Sequence, residues 1–182
     1  MSHLILPAPL PKPWALYDGE LASNSNVVVT ANQVLFVGVV LNAYVTLTGV
    51  RVDWSVSGNG HYDVGIYDAT GTNPWAGAPG NLLAHAASSG TALATAGGAQ
   101  TPALIGGNLP LTPGRYWLAL WADNASDKYI RQVGTNQSDI VMGSSNTGGP
   151  LPATGAGGTG GAPSNSGTSK PILIGILQGG WS

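Results

Sequence analysis

The sequence predicts an all-β chain, an antiparallel β-sandwich or jelly-roll-like single domain with an extended N-terminal arm and a Gly-rich C-terminal loop followed by one more strand. Three observations carry that prediction. Short runs rich in Val, Thr, Tyr and Trp alternate with clusters of Gly, Pro, Asn and Asp, the pattern of many short strands joined by turns. Charged residues make up 8% of the chain and Glu20 is its single glutamate, too little to line the wet side of long helices. Gly (28) and Pro (13) are frequent among the 182 residues, which suits turns and disfavours helix interiors. That length is ample for one domain with arms. The expected division is a Pro-rich arm over 1–25, a sandwich over 26–142, a Gly/Ser/Pro-rich loop over 143–169 and a C-terminal strand over 170–182.

The elements follow in order. Prolines at 7, 9, 11 and 13 remove backbone donors and fix φ, so the first segment is expected to be extended and close to polyproline II. Leu4, Ile5, Leu6, Leu10 and Trp14 are too apolar to be left in water and are expected at a subunit interface, docked on a neighbouring chain. Strands are expected at "NVVVT", "QVLFVGVV" and "AYVTLTGVRVDWSVS". In the last of these the apolar phase shifts from Val45 and Leu47 to Val50, Val52, Trp54 and Val56, which places a bulge or corner at Gly49.

"HYDVGIYDATG" puts Tyr62, Val64 and Ile66 on one face and His61, Asp63 and Tyr67 on the other, and ends in a turn at 68–71. Short strands are expected at "LLAHAA" and "TALAT". After the Pro113-Gly114 turn, "RYWLALWAD" carries large side chains on both faces. Tyr116, Leu118 and Leu120 are expected in the core, with Trp117 and Trp121 covered by an arm or a neighbouring subunit. "KYIRQV" is expected to fold back across "ADNASD" as a hairpin with that strand. "KPILIGILQGG" is apolar on both faces at 172–177, as expected of a strand buried on both sides, which would either complete its own sheet, the favoured reading, or add to a neighbour's.

The function classes narrow by composition. Six Lys and Arg are scattered through a chain of formal charge −2, so no basic stripe is present for nucleic acid. No cysteine is present, which removes disulfides, thiolate metal sites and cysteine nucleophiles. The N-terminal stretch lacks the basic segment of a signal peptide, and no apolar run approaches the roughly 18 residues of a membrane span, so no membrane insertion is expected.

Three histidines, His3, His61 and His85, are dispersed, no Gly-x-Ser-x-Gly elbow occurs, and no pair of carboxylates stands out. No catalytic residue, cofactor or metal is therefore expected. His61 and Asp63 suit a surface hydrogen bond better than a metal site, and turn chemistry accounts for the Asp-rich loops "DATGTN" and "DNASD" better than calcium does. The Gly-rich "GAGGTGG" lacks the Lys and the preceding strand of a phosphate loop. Trp75, in a Pro- and Gly-flanked loop, is a candidate sugar-stacking ring with Tyr67; the alternative use of Trp75 is to cap the core.

The string "YDVGIYDATG…GNLLA…LTPGRYWLALWAD" resembles the β-sandwich modules of virion surface proteins of tailed bacteriophages, in tail-fibre or receptor-binding components and capsid decoration proteins. The matching features are a strand ending in Ile-Tyr-Asp, a Gly-Asn-Leu-Leu-Ala strand start and Leu-Thr-Pro-Gly-x-Tyr-Trp-Leu-Ala-Leu, within residues 43–132. The resemblance implies a non-enzymatic structural or adhesive role, commonly as a homotrimer, with other virion proteins and a host-surface glycan as partners. It also implies a protein made in a bacterial cytoplasm and located in the virion. The competing reading is a free carbohydrate-binding module using Trp75 with Tyr67 or Trp121.

Overall fold

The computed structural model describes residues 15–16, 25–28, 31–56, 60–72, 77–86, 91–92, 97–124, 128–132, 142–145, 149–155, 164–165, 170–171 and 173–178. The described residues form strands and no helix. In chain order the strands are β1 (Ala15–Leu16), β2 (Ser25–Val28), β3 (Gln33–Leu41), β4 (Val45–Val56), β5 (His61–Asp68), β6 (Leu82–His85), β7 (Thr91–Ala92) and β8 (Gly98–Gln100). They continue as β9 (Leu109–Leu111), β10 (Gly114–Ala122), β11 (Lys128–Gln132), β12 (Met142–Ser145), β13 (Ser164–Asn165), β14 (Lys170–Pro171) and β15 (Leu173–Gln178). The stretch 1–25 thus contributes β1 and the first residue of β2, and 143–169 contributes most of β12 and all of β13.

Two antiparallel sheets result. Sheet A runs β1-β15-β4-β11-β14, with β2 on β11 and both β8 and β9 on β4; sheet B runs β13-β12-β3-β10-β5-β6, with β7 on β5. Leu35, Val37, Val39, Tyr116, Leu118, Leu120, Tyr62, Val64 and Ile66 of sheet B meet Leu47, Val50, Val52 and Trp54 of sheet A in one core. The alternation read from the sequence therefore places Tyr116, Leu118 and Leu120 inward, as expected. Trp54 and Tyr62 join the two layers edge-to-face, with ring centroids 5.4 Å apart.

The phase shift in β4 is a bulge. Ile176 of β15 lies opposite Gly49 and Leu177 opposite Leu47, so the register of the pair shifts by one residue at Thr48. The extra residue returns Val50, Val52 and Trp54 to the face that Leu47 occupies, and all four are buried. β15 thereby joins its own sheet between β1 and β4.

β10 is central in sheet B, paired along its whole length with β3 and from Tyr116 to Ala122 with β5. With both edges occupied it has no place for a third partner. The expected hairpin between β10 and "KYIRQV" therefore does not form: β11 crosses to sheet A and pairs with β4, β2 and β14. Asp123 marks the exit, since its backbone N–H donates to His61 O at 3.0 Å and its carboxylate accepts from His61 N at 2.7 Å.

Leu118 lies at the centre of the pairing with β3 and within that with β5, and is wholly buried. Leu118→Ala is expected to lower stability by about 2–5 kcal/mol, the range for a buried leucine that leaves a cavity. Val40→Ala, at a site 67% exposed, is expected to change stability by less than about 0.5 kcal/mol. Urea unfolding midpoints of the two variants check the contrast.

Candidate functional site: the covered outer face of sheet B

Sheet B is apolar on its outer face as well. Val34 and Phe36 from β3, Trp117, Ala119 and Trp121 from β10, and Tyr67 from β5 form a second buried cluster with Leu151, flanked by Ala69 and Leu82. Phe36 and Tyr67 meet edge-to-face at 5.2 Å. Two pieces of the same chain cover this face: the connection after β5, described at 69–72 and 77–81, and a strap at 149–155. The strap belongs to the connection between β12 and β13, which pair with each other at one edge of sheet B, yet it lies against β6 at the opposite edge.

A buried carboxylate fixes the strap. Asp63 lies on the same strand face as Tyr67 and is fully buried. It accepts from His85 Nδ1 at 2.7 Å, from Ala86 N at 3.1 Å and from Leu151 N at 3.2 Å. A carboxylate in such a place needs several donors to offset its lost hydration. The Tyr67 hydroxyl donates to Pro152 O at 2.6 Å. Beyond it, Leu82 N donates to Ala153 O at 2.9 Å and Gly155 N donates to Gly80 O at 2.7 Å, with Asn81 and Thr154 opposite one another. The strap is therefore a short added strand on the residues leading into β6, anchored by Leu151. Gly65 makes room for it: a Cβ there would stand 2.6 Å from Ala84 O and 2.7 Å from Leu151 Cδ1.

The loop after β5 is held similarly. Asp68 accepts from Thr70 Oγ1 at 2.6 Å, Asn81 N at 2.8 Å and Asn81 Nδ2 at 3.0 Å. Partial burial works to raise its pKa, but the hydrogen bonds from Thr70 and Asn81 together outweigh it and hold the carboxyl below its ordinary value. Trp117 Nε1 donates to Gly77 O at 2.9 Å, which ties the loop to the sheet. Burial, and secondarily the charge of Asp63, pushes the Tyr62 hydroxyl up to about 12 and the Tyr67 hydroxyl higher still, so both stay protonated at neutral pH, Tyr67 as the donor to the strap.

These placements revise several expectations. Trp117 and Trp121 are 1% and 4% exposed within a single chain, so the chain's own segments close the second face of β10 before any neighbouring subunit is added. Tyr67 is fully buried with its hydroxyl spent on the strap, and cannot stack on a sugar. His61 and Asp63 do not bond each other: His61 pairs with Asp123 at 3.0 Å, and Asp63 with His85. Leu4, Ile5, Leu6, Leu10, Trp14 and Trp75 lie outside the described residues.

The Asp63–His85 pair was not singled out from sequence. Its one signal there is an aspartate in the middle of the otherwise apolar run "YDVGIY". Chemically, a carboxylate that orients an imidazole through Nδ1 is one part of a general-base arrangement. Among the described residues no hydroxyl is bonded to His85, and no group of three or more His, Asp or Glu is placed to hold a metal ion.

Fold and site together define an all-β, two-sheet antiparallel protein in which one sheet is covered on both faces. Comparisons with protein-family models, with curated proteins and with solved structures found no match.

Two outcomes test the covering. Asp63→Ala leaves three donors without their acceptor, and is expected to cost about 2–5 kcal/mol with a red shift of tryptophan emission as the strap loosens. The second outcome concerns pH. A carboxyl with a lowered folded pKa contributes stability that is fully present above its unfolded value and is lost as pH falls through the folded one. Asp68→Ala should therefore flatten the fall in unfolding midpoint below about pH 4, measured by denaturant titration at a series of pH values.

Proposed function

We propose that the chain is a non-enzymatic structural protein on the surface of a tailed-phage virion, of tail-fibre, receptor-binding or capsid-decoration type, assembled as a homo-oligomer, most simply a homotrimer. The observation that carries this reading is the use made of the polar side chains on the covered sheet. Asp63, His85, Asp68, Asn81 and Tyr67 are all spent in holding loops and strap over an apolar sheet, so the groups best suited to chemistry act as fasteners. The result is a weakly charged body with a closed sheet face, which suits contact with neighbouring proteins in a particle.

The resemblance within residues 43–132 supports the same reading, and a jelly-roll-like winding of the sandwich belongs to it. Other virion proteins are the partners under this proposal, a host-surface glycan is the ligand of the receptor-binding variant, and synthesis in a bacterial cytoplasm precedes incorporation. The free carbohydrate-binding alternative keeps Trp75 but loses Tyr67 and Trp121, whose rings are buried.

Light scattering of the purified chain after size-exclusion chromatography tests the proposal, together with a glycan array. The expected result is a closed oligomer, whether or not it binds a glycan. A monomer that binds an oligosaccharide and loses it on Trp75→Ala would establish the carbohydrate-binding module instead.

A further inference from the structure

The strap occupies a groove with simple requirements. Its backbone supplies most of the contacts: Leu151 N–H to Asp63, Pro152 C=O to Tyr67, Ala153 C=O to Leu82 N–H. One side chain, Leu151, is buried in the aromatic cluster, while Ala153 and Thr154 face solvent. This is recognition of an extended peptide by strand addition with one apolar pocket.

The same sequence occurs a second time. Pro150-Leu151-Pro152 in the strap is repeated as Pro9-Leu10-Pro11 in the N-terminal segment. Aligned on the tripeptide, Leu10 supplies the N–H and side chain of Leu151, Pro11 the carbonyl for Tyr67, and Lys12 the carbonyl for Leu82. The side chain of Lys12 falls where Ala153 is exposed. Pro13 falls at Thr154, opposite Asn81, between the flanking bonds from Leu82 N to Ala153 O and from Gly155 N to Gly80 O. Such a position directs its N–H away from the partner strand, so proline is admissible. The match ends at Gly155, where a Cβ would strike Pro79 and the arm has Trp14.

A chain cannot deliver this segment to its own groove. Leu10 precedes Ala15 by five residues, a span of about 17 Å at full extension. Ala15 lies in β1, in sheet A, where β1 packs over β3. The groove lies on the far side of sheet B beside β5, two strands along from β3. With sheets about 10 Å apart, a further ~5 Å to the strap and strands about 4.8 Å apart, the straight line is ~18 Å through the protein, and the path around it is longer.

We propose that this groove is a docking site for the Pro9-Leu10-Pro11 stretch of a second copy, which takes the place of Pro150-Leu151-Pro152 when subunits assemble. The free subunit keeps its aromatic face closed with the strap, and the partner's arm, stiffened by alternate prolines, enters at a reduced entropic cost. The inference rests on the homo-oligomer reading and names the surface that reading requires.

Because the chain has no cysteine, introduced thiols report the pairing directly. Full-length Pro13→Cys and Asn81→Cys chains, mixed, dissociated and reassembled, then mildly oxidised, should yield a covalent dimer containing both chains, identified by peptide mass mapping of the 13–81 disulfide. Leu10→Asp in the Pro13→Cys chain should lower its yield by about tenfold or more, the effect of losing one buried leucine contact. The intrachain control Asn81→Cys/Thr154→Cys should close within one chain in the free subunit, confirming that the position forms disulfides. An oligomer by light scattering with no 13–81 disulfide, or with one indifferent to Leu10→Asp, overturns the docking site and leaves the homo-oligomer standing. A monomer at every concentration overturns both.

Discussion

A sheet that is apolar on both faces must be covered twice, and this requirement governs the rest of the molecule. β10 carries Tyr116, Leu118 and Leu120 to one side and Trp117, Ala119 and Trp121 to the other. Sheet A covers the first face by sheet-on-sheet packing, which needs only complementary apolar surfaces. The second face has no such partner, and leaving two indoles and Tyr67 in water would forfeit several buried side chains, each worth about 1.5–3 kcal/mol. The chain covers it with irregular backbone instead, which brings a second problem: strap and loop carry amide and carbonyl groups that must be satisfied as they are buried.

Asp63 resolves that problem at its most demanding point. One carboxylate on β5 holds two other pieces of chain, accepting from the strap at Leu151 and from the end of β6 at His85 and the adjoining Ala86. An asparagine would offer one acceptor oxygen and two donors in the same space, leaving N–H groups facing N–H groups. The burial of Asp63 is thus the condition for burying the strap. Tyr67 completes the arrangement, packing its ring edge-to-face on Phe36 below while its hydroxyl holds the strap above.

Much of the sandwich was legible because its information is local. Alternation over 114–122 and 61–68 identifies inner and outer faces, and the shift in apolar phase around Gly49 specifies a bulge that the register of β15 against β4 shows. The partner of "KYIRQV" was not legible, because nearness in sequence favours a hairpin whereas the outcome depends on β10 already having two neighbours. Asp63 and His85 are separated along the chain, and neither carries a local pattern that announces the other. The strap was hidden most thoroughly. "PLPATG" reads as loop by composition, and its capacity to add a strand resides in the groove that receives it.

The same strap decides which edge of sheet B is open. An unprotected edge strand invites pairing with another chain, and β6 is the last strand on its side. Its Leu82 N–H is taken by Ala153 and its His85 carbonyl by Ile105 N–H at 2.8 Å, so both ends of the edge are occupied from within. Growth of the sheet there by an incoming strand first requires the strap to leave, and departure releases the Leu82 N–H, the Tyr67 hydroxyl and the Asp63 carboxylate from it together. Edge protection and aromatic burial are therefore one event, controlled by one short segment whose flanks are rich in Gly and Ser. Any partner that competes for the edge must also supply an apolar side chain for the pocket that Leu151 vacates, which limits competitors to peptides with a leucine-like residue in the right register.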